Sequence, residues 1–469
     1  MFTKELSHPI FKIVSEESKK LGFESFVVGG FVRDIFLKRE SKDVDFVTVG
    51  SGITLAYAVK ARLPKSHLSI FKNFGTAQIK TDDWEFEFVG ARKESYDRTS
   101  RKPKVEDGTF LDDISRRDFT INSLAISINE SNYCELIDTF DGLSDLKSGI
   151  LKTPLEPKIT FSDDPLRMMR AVRFATQLNF KIEEKTYSAL ISEAPRLEII
   201  SQERITDELN KIIKSKKPSV GFKLLFDTKM LHHFFPEMVK LQGVEIREGK
   251  GHKDNFYHTL QVLDQTCDQT DDLWVRWAAI MHDIAKPNTK RFVPGDGWTF
   301  HGHEDKGSRM VRPIFRRLKL PLGEPMRRVQ NLVKLHLRPI ALTKENISDS
   351  AIRRLIFDAG DDLNDLMLLC KSDITTKNKE KENRFQANLV LVEENIEKVE
   401  ERDRIRNWQP VIDGSEIMKI FNIGAGKEIG IIKNALKDAV LDGVISNNYD
   451  EAYKFVIEKG KSIGLQSHE

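Results

Sequence analysis

Two aspartates with one residue between them, Asp43 and Asp45 in KDVDFVTVG, stand first among the residues able to do chemistry. The surrounding run is β-rich, and side chains two apart on a strand share a face, so two carboxylates converge. Such anions repel unless a cation lies between them. Hard oxygen ligands suit Mg²⁺, whose usual biological partner is a nucleoside triphosphate, and an in-line displacement at phosphorus follows. An isolated Asp-x-Asp is more often a solvated strand end, so the context decides. Upstream, in FVVGGFVRD, Gly29 and Gly30 follow an apolar strand and precede a helix expected to begin at Arg33 and Asp34, which lets backbone approach phosphate closely. Downstream, WEFEFVGAR puts Glu85 and Glu87 on one strand face, and Glu87 is the expected auxiliary ligand.

Two later segments fit the same chemistry. In RRDFTIN, the pair Arg116 and Arg117 can neutralise phosphates and Asn122 can bond a ribose hydroxyl. In DDPLR, Asp164 precedes a helix-starting proline and Arg167 lies one turn on, so both can meet one base. Cytosine and adenine each present an amino donor beside a ring-nitrogen acceptor, whereas guanine and uracil present the opposite order. A carboxylate with a guanidinium therefore accepts C and A and rejects G and U, without a template. Arg170 and Arg173 extend a basic stripe, and Glu203, Arg204 and Glu208 lie on a helix beyond it.

A second constellation follows: His258, the adjacent His282 and Asp283, His303, His336 and Asp373. Adjacent helical positions differ by about 100° in direction, so His282 and Asp283 can meet one ion together with distant ligands. His258 and Asp373 would complete a mononuclear site, and His303 with His336 would allow a second ion. Imidazole with carboxylate suits a transition metal better than Mg²⁺.

The motif order GGFVRD, DVDF, FGTAQI, EFVGARKESY, RRDFTINSLAI, DDPLRMMRAVRF, ERITDEL resembles the class II tRNA nucleotidyltransferase and bacterial poly(A) polymerase family, within the polymerase-β-like superfamily. The resemblance covers the first half of the chain. It implies that Asp43 and Asp45 bind the catalytic metal, that Gly29, Gly30 and Arg33 meet the triphosphate, and that Arg116, Arg117, Asp118 and Asn122 contact ribose and phosphates. It also implies that the segment around Glu203, Arg204 and Glu208 braces the nucleotide pocket, and that the polar loop between Arg92 and Asp113 serves addition of a final A. The family usually has Glu-Asp where this chain has Asp163-Asp164, which leaves Asp164 and Arg167 intact. The His/Asp order resembles HD-domain phosphohydrolases. In similar tRNA nucleotidyltransferases such a domain removes phosphate or opens a cyclic phosphate at a 3′ end.

The expected activity is therefore addition of CCA to tRNA from CTP and ATP. Alternatives are a poly(A) polymerase, or an HD phosphohydrolase with an RNA-binding head. The run PVIDGSEIMKIFNIGAGKEIG resembles the tail of HD-containing members, with Gly424, Gly426 and Gly430 around Lys427 offered to RNA phosphate, as are Arg316, Arg317, Arg327 and Arg328.

These residues need a frame to hold them. A chain of 469 residues exceeds one hydrophobic core. Short β-rich runs fill the beginning and helical periodicity takes over from DDPLRMMRAVRF, so the expected class is α+β; the resemblance implies that this is a polymerase-β-like head over 1–150, a helical neck over 151–240, an HD domain over 241–380 and a helical tail over 381–469. Seams are expected in the loop-like GVEIREGKGHKDN, in KPNTKRFVPGDGWTFHGHEDKG and in the charge run TTKNKEKENR. Lys+Arg of 74 against Asp+Glu of 72 leaves +2, so an RNA partner must be met by local basic patches. Cys134, Cys267 and Cys370 are too far apart for a disulfide framework or zinc ribbon, which fits a reducing cytoplasm. No apolar stretch reads as a signal peptide or a membrane span.

Overall fold

The structure, a computed structural model, describes residues 2, 4–72, 75–95, 104–342, 348–375, 378–403, 406 and 408–466. Its contacts divide the chain into two compact units, residues 1–236 and 237–469.

The first unit opens with α1 (Pro9–Leu21), β1 (Glu24–Val28), α2 (Gly30–Phe36), β2 (Asp43–Val49), α3 (Gly52–Arg62), β3 (His67–Phe71), β4 (Thr76–Lys80) and β5 (Glu85–Gly90). A separate ribbon, β6 (Arg92–Ser95) with β7 (Lys104–Asp107), leads to α4 (Phe110–Ser115), β8 (Ala125–Ser127) and β9 (Leu136–Ile137). The main sheet runs in the order β3-β4-β5-β2-β1-β8-β9. It is mixed: β2 and β5 are parallel, and the other neighbours pair antiparallel.

Strand alternation sorts the chemistry from the core. Val44, Phe46, Phe86 and Phe88 are fully buried, and Phe46 meets Phe11 of α1 on the face that α1 and α3 cover. Asp43, Asp45, Glu85 and Glu87 therefore point to the opposite face, in register as Asp43 with Glu85 and Asp45 with Glu87. That face has its own small core of Phe26, Val28, Val47, Ala91 and Ala125, capped by Phe110 of α4, whose ring stacks on Phe26 at 3.9 Å. The carboxylates lie at the end of the sheet that this core leaves open.

The head closes with α5 (Gly142–Ser148), and beyond it the first unit is mainly helical, with α6 (Pro157–Asp163), α7 (Leu166–Leu178), α8 (Glu184–Glu193), α9 (Gln202–Ile213), α10 (Pro218–Asp227) and α11 (Met230–Phe234). Helices α7 and α9 pack together, and Ile205, Leu209 and Ile212 give α9 an apolar stripe at helical spacing.

The second unit begins within a short α12 (Pro236–Val239). Its site-bearing helices are α13 (Asn255–Cys267), α14 (Leu273–Met281), α15 (Lys286–Thr289), α16 (His303–Arg317) and α17 (Glu324–Leu335). After them come α18 (Arg338–Ala341), α19 (Asp349–Ala359), α20 (Leu363–Asp373) and α21 (Lys379–Asp403). The tail comprises α22 (Gly414–Phe421), α23 (Lys427–Leu441) and α24 (Tyr449–Ser462), joined by a core that includes Ile417, Phe421, Leu436 and Val456. No described helix is long and apolar enough to cross a membrane.

Three local expectations change. The loop-like GVEIREGKGHKDN contains a hairpin, Ile246–Arg247 with Lys250–Gly251, turned by Glu248 and Gly249 at φ 51° and 72°. KPNTKRFVPGDGWTFHGHEDKG holds a second hairpin, Arg291–Val293 with Gly297–Thr299. Most of the charge run TTKNKEKENR is the first turn and a half of α21, since Lys, Glu and Arg are good helix formers and buried Leu389, Val392, Ile396 and Val399 dock the helix. Residues 376–377 of that run, and residues 96–103 of the polar loop between Arg92 and Asp113, lie outside the described residues.

Candidate active sites

The head site begins at the Gly-Gly turn. Gly29 has φ 79° and ψ −136°, a conformation that glycine alone adopts readily. A Cβ there would lie 3.0 Å from Nη1 of Arg117 and 3.2 Å from Oδ2 of Asp45. Helix α2 starts at Gly30 rather than at Arg33, so Arg33 sits a turn inside it. There Arg33 is buried and its Nη1 donates to Oδ1 of Asn122 at 2.8 Å.

RRDFTIN follows α4, whose first turn is fixed by a reciprocal capping box between Thr109 and Asp112. That box orients Asp113 inward, where its fully buried carboxylate accepts from Arg116 and, at 3.2 Å, from Nη2 of Arg117. Asp113 is a residue the sequence reading missed, and it aims both arginines. Asp118 is also buried: it accepts from Nε of Arg170 at 2.7 Å, from Nδ2 of Asn122 at 2.9 Å and from the Phe119 amide. Burial opposes its ionisation, but the Arg170 charge and the Asn122 bond hold its carboxyl below the ordinary range. Asp118 thus fixes Arg170 and Asn122, while Asn122 retains one donor and one acceptor position for a ligand.

Asp164 lies between α6 and α7. Its Oδ1 accepts from the Leu166 amide at 3.1 Å, the capping role, while Oδ2 lies 3.9 Å from Nη2 of Arg204. Arg167 is buried. Arg173 pairs with buried Glu208 at 2.7 Å, and the guanidinium carbons of Arg33, Arg170 and Arg173 stand 5.1, 5.4 and 4.1 Å from the centre of the Phe174 ring. One cleft of about 610 Å³ collects Gly29, Gly30, Arg33, Asp43 and Asp45 with Arg116, Arg117, Asp118 and Asn122. Its further lining includes Asp164, Arg167, Arg170, Arg173, Phe174 and Arg204. Glu87 is outside this lining but beside Asp45 in the sheet.

Burial and the neighbouring carboxylates raise the pKa of Asp45, against the pull of Arg117, and burial beside Asp45 raises that of Glu87. A divalent cation would relieve both costs. Two carboxylates leave the remaining positions of Mg²⁺ to water and phosphate, so the donor set fits that ion.

The second site is made from helix ends. His258 is in the first turn of α13, His282 and His336 cap the C-termini of α14 and α17, His303 opens α16, and Asp373 ends α20. Nδ1 of His282, His303 and His336 lies 2.7, 2.8 and 2.6 Å from the carbonyls of Ala279, Phe300 and Val333. Those acceptors place the Nδ1 proton and leave each Nε2 as a lone pair. All three Nε2 atoms are buried without a hydrogen-bond partner.

They converge on Asp283. Its Oδ2 is 3.4 Å from Nε2 of His258 and 3.3 Å from Nε2 of His282, and its Oδ1 is 3.3 Å from Nε2 of His303. Asp373 approaches His258 at 3.0 Å and His282 at 3.6 Å. Among the described residues, two groups of ligand atoms fall within 4.8 Å of one another: His258, His282 and Asp283, and Asp283, His303 and His336. Burial opposes a charge on His282, but Asp283 and Asp373 raise its pKa to about 10, whereas burial and the His282 charge lower His336 to about 4. The donor set fits a divalent transition metal, with Asp283 shared between two positions. Lys286, absent from the sequence reading, reaches Asp283 at 2.6 Å and lines the cavity in front of the cluster.

Of the four arginines offered to phosphate in this unit, Arg317 pairs with Glu237, and Arg328 is held by Asp272, Asp362 and Asp365. Both are engaged in ion pairs. Arg316 and Arg327 remain exposed, as do Gly424, Gly426, Lys427 and Gly430.

A mixed sheet with a carboxylate pair beside a glycine turn, facing an arginine-lined cleft, defines a nucleotidyltransferase head, and the His/Asp cluster defines an HD domain. Sequence comparison agrees. Residues 25–152 match the Poly A polymerase head domain, 179–241 the segment described as the probable RNA and SrmB-binding site of polymerase A, and 255–364 the HD domain. An A-adding tRNA nucleotidyltransferase of Deinococcus radiodurans is 30% identical over 441 residues, 92% of this chain and 94% of that protein. A multifunctional CCA protein of Shewanella frigidimarina is 31% identical over 368 residues, 74% of this chain and 83% of its own. An A-adding tRNA nucleotidyltransferase of Aquifex aeolicus is 44% identical over 186 residues, 38% of this chain, and there the chain spans only 22% of the relative's length. The fold is that of the Thermotoga maritima CCA-adding enzyme solved with tRNA, at 21% identity, 98% coverage of each chain and a TM-score of 0.59. The chain belongs to the tRNA nucleotidyltransferase and poly(A) polymerase family, and it is a nucleotidyltransferase with an HD domain.

Proposed function

We propose that this chain adds C, C and A in turn to the 3′ hydroxyl of tRNA from CTP and ATP, releasing pyrophosphate at each step. The observation that carries this reading is a single cleft lined both by Asp43 and Asp45 and by Asp164 and Arg167. The proposed division of labour is a head over 1–150, a neck over 151–240 that reads the base, an HD domain over 241–380 and an RNA-binding tail over 381–469.

Mg²⁺ held by Asp43 and Asp45, with Glu87 beside them, would supply Lewis-acid polarisation of the triphosphate and activation of the attacking oxygen. Arg116 and Arg117, aimed by Asp113, neutralise triphosphate oxygens. Gly29 keeps that approach clear, since any side chain there meets Arg117 and Asp45. Asn122, fixed by Arg33 and Asp118, bonds the ribose. Oδ2 of Asp164, the oxygen nearer Arg204, accepts the amino group of C or A while Arg167 donates to the ring nitrogen. Guanine or uracil would leave buried charged groups unpaired, a penalty reaching about 10⁴-fold.

In the HD domain, His258, His282, Asp283 and Asp373 would hold one transition metal, with His303 and His336 completing a second position on Asp283. Metal there would supply an activated water for phosphate-ester hydrolysis. The chain's own part is to fix the imidazole tautomers and to place Lys286 at the phosphate. Removal of a terminal or cyclic phosphate would return a damaged tRNA end to a free hydroxyl.

A second reading is addition of A alone to tRNA ending in CC, favoured by the name of the near full-length Deinococcus relative. Incubation with tRNA ending before, within and after CC separates the two. Incorporation of C from CTP supports full CCA addition, and incorporation of A only, on CC ends only, supports the second. A long A tail would defeat both.

A further inference from the structure

Two cavities meet at the HD cluster, and they differ in chemistry. One, of about 300 Å³, carries two lysines, Lys253 and Lys286, in a lining shared with His252, Asn255, His258, Phe300 and Asp373. The other, of about 180 Å³, is walled by Ile340, Ile374, Phe385 and Leu389. Lys253 and Asp373 line both. The lysine is fixed at the junction, its Nζ donating to the carbonyl oxygen of Thr375 at 3.1 Å and to its Oγ1 at 3.2 Å. The same Thr375 Oγ1 lies 2.9 Å from Nδ1 of His258. Together the two volumes fall within the range of about 300–1,000 Å³ common for small-molecule sites.

An inorganic or sugar phosphate would use the cavity with both lysines and leave the apolar one empty. A nucleotide would use both, phosphate against Lys253 and Lys286 and base between the aliphatic walls and the Phe385 ring. We infer that the apolar slot of Ile340, Ile374, Phe385 and Leu389 is a subsite for the unpaired nucleobase of the nucleotide whose phosphate lies at the HD centre. A paired base could not enter a slot with apolar walls, so the substrate end is single-stranded. The four apolar walls offer a base its stacking surface and no side-chain hydrogen bond, so what polar contact a base edge finds in this slot comes from Lys253, Asp373 and Thr375. This assignment rests on the reading of the HD domain as a phosphohydrolase.

The test is photolabelling of the full chain with 8-azidoadenosine 3′-monophosphate in EDTA, followed by peptide mapping, which needs no turnover. The expected result is saturable labelling of the peptide that carries Ile374 and Phe385. Its half-saturation should rise about tenfold in Phe385→Ala, the loss of one stacked base, and return in Phe385→Trp. Phe385 is only half-buried on α21, so neither change removes a core residue. Absence of saturable labelling on that peptide, or labelling indifferent to Phe385→Ala, overturns the inference. Cleavage of bis(p-nitrophenyl) phosphate by the metal-loaded chain tests the hydrolase reading separately. Cleavage without slot labelling defeats the base subsite alone, and slot labelling without cleavage defeats the hydrolase reading alone.

Discussion

Asp113→Asn tests whether the arginines proposed to bind triphosphate are positioned from behind. The carboxylate is fully buried and serves Arg116 and Arg117 together, while those side chains are 20% and 19% exposed. An asparagine of the same shape keeps one acceptor, but its NH₂ must face the other guanidinium, donor against donor. Breaking a fully buried pair costs about 3–5 kcal/mol, and partial hydration of the arginines lowers this to about 2–3 kcal/mol. If Arg117 is released from its place beside Gly29 and Asp45, kcat/KM for nucleotide incorporation falls by roughly 30- to 150-fold, since 1.4 kcal/mol is a factor of about ten. The loss should include a raised KM for CTP and for ATP alike, as the proposed role of the arginines in binding triphosphate, and not in reading the base, requires. Single-nucleotide incorporation on a tRNA lacking its 3′ end, with thermal unfolding measured in parallel, reads both effects. A variant with normal kcat/KM and an unchanged melting profile would refute the positioning argument.

Gly29→Ala should destabilise the head by about 1–3 kcal/mol through its backbone conformation and depress incorporation, checked by the lowest-temperature unfolding transition and by initial rates. Replacing Asp43 and Asp45 with Ala should abolish incorporation while metal-loaded phosphoesterase activity persists; surviving incorporation would contradict the metal assignment. A transition metal at about 100-fold over its Kd should stabilise the second unit by about 2.7 kcal/mol in calorimetry, and His282→Ala should remove most of that gain. For Asp45 and Glu87 the folded pKa lies above the unfolded value, so their contribution to apo stability is present at low pH and lost as pH rises through the folded pKa. Mg²⁺, competing with those protons, should bind more weakly as pH falls, starting at higher pH than for ordinary carboxylates, as titration calorimetry would show.

The carboxylate pair was legible because a two-residue repeat puts Asp43 and Asp45 on one strand face whatever surrounds them. Its meaning depended on Gly29, Asn122, Asp164 and Arg167, far along the chain, which the fold then gathers into one cleft. The candidate His/Asp ligands were legible by order, but the meeting of the imidazoles at Asp283 was not, because it depends on which ends of α14, α16 and α17 meet. Asp113 was hidden within a capping sequence, where Asp112 performs the visible local role and its neighbour turns inward. Arg328 read like a phosphate contact because nothing local announces Asp272, Asp362 and Asp365. The charge run that opens α21 read as a seam because its polar residues come before the apolar stripe that docks the helix. That misreading also concealed Phe385, which belongs to the slot beside the HD centre.

The central claim is that one cleft both performs the transfer and selects C and A. The most direct measurement is incorporation on tRNA ending at the position before CCA, with all four nucleoside triphosphates present, read by sequencing the extended ends. The account predicts ends closing at C, C, A, with G and U excluded, and loss of that exclusion in Asp164→Ala. Extension by A alone without prior C, a long A tail, or unchanged selectivity in Asp164→Ala would contradict it.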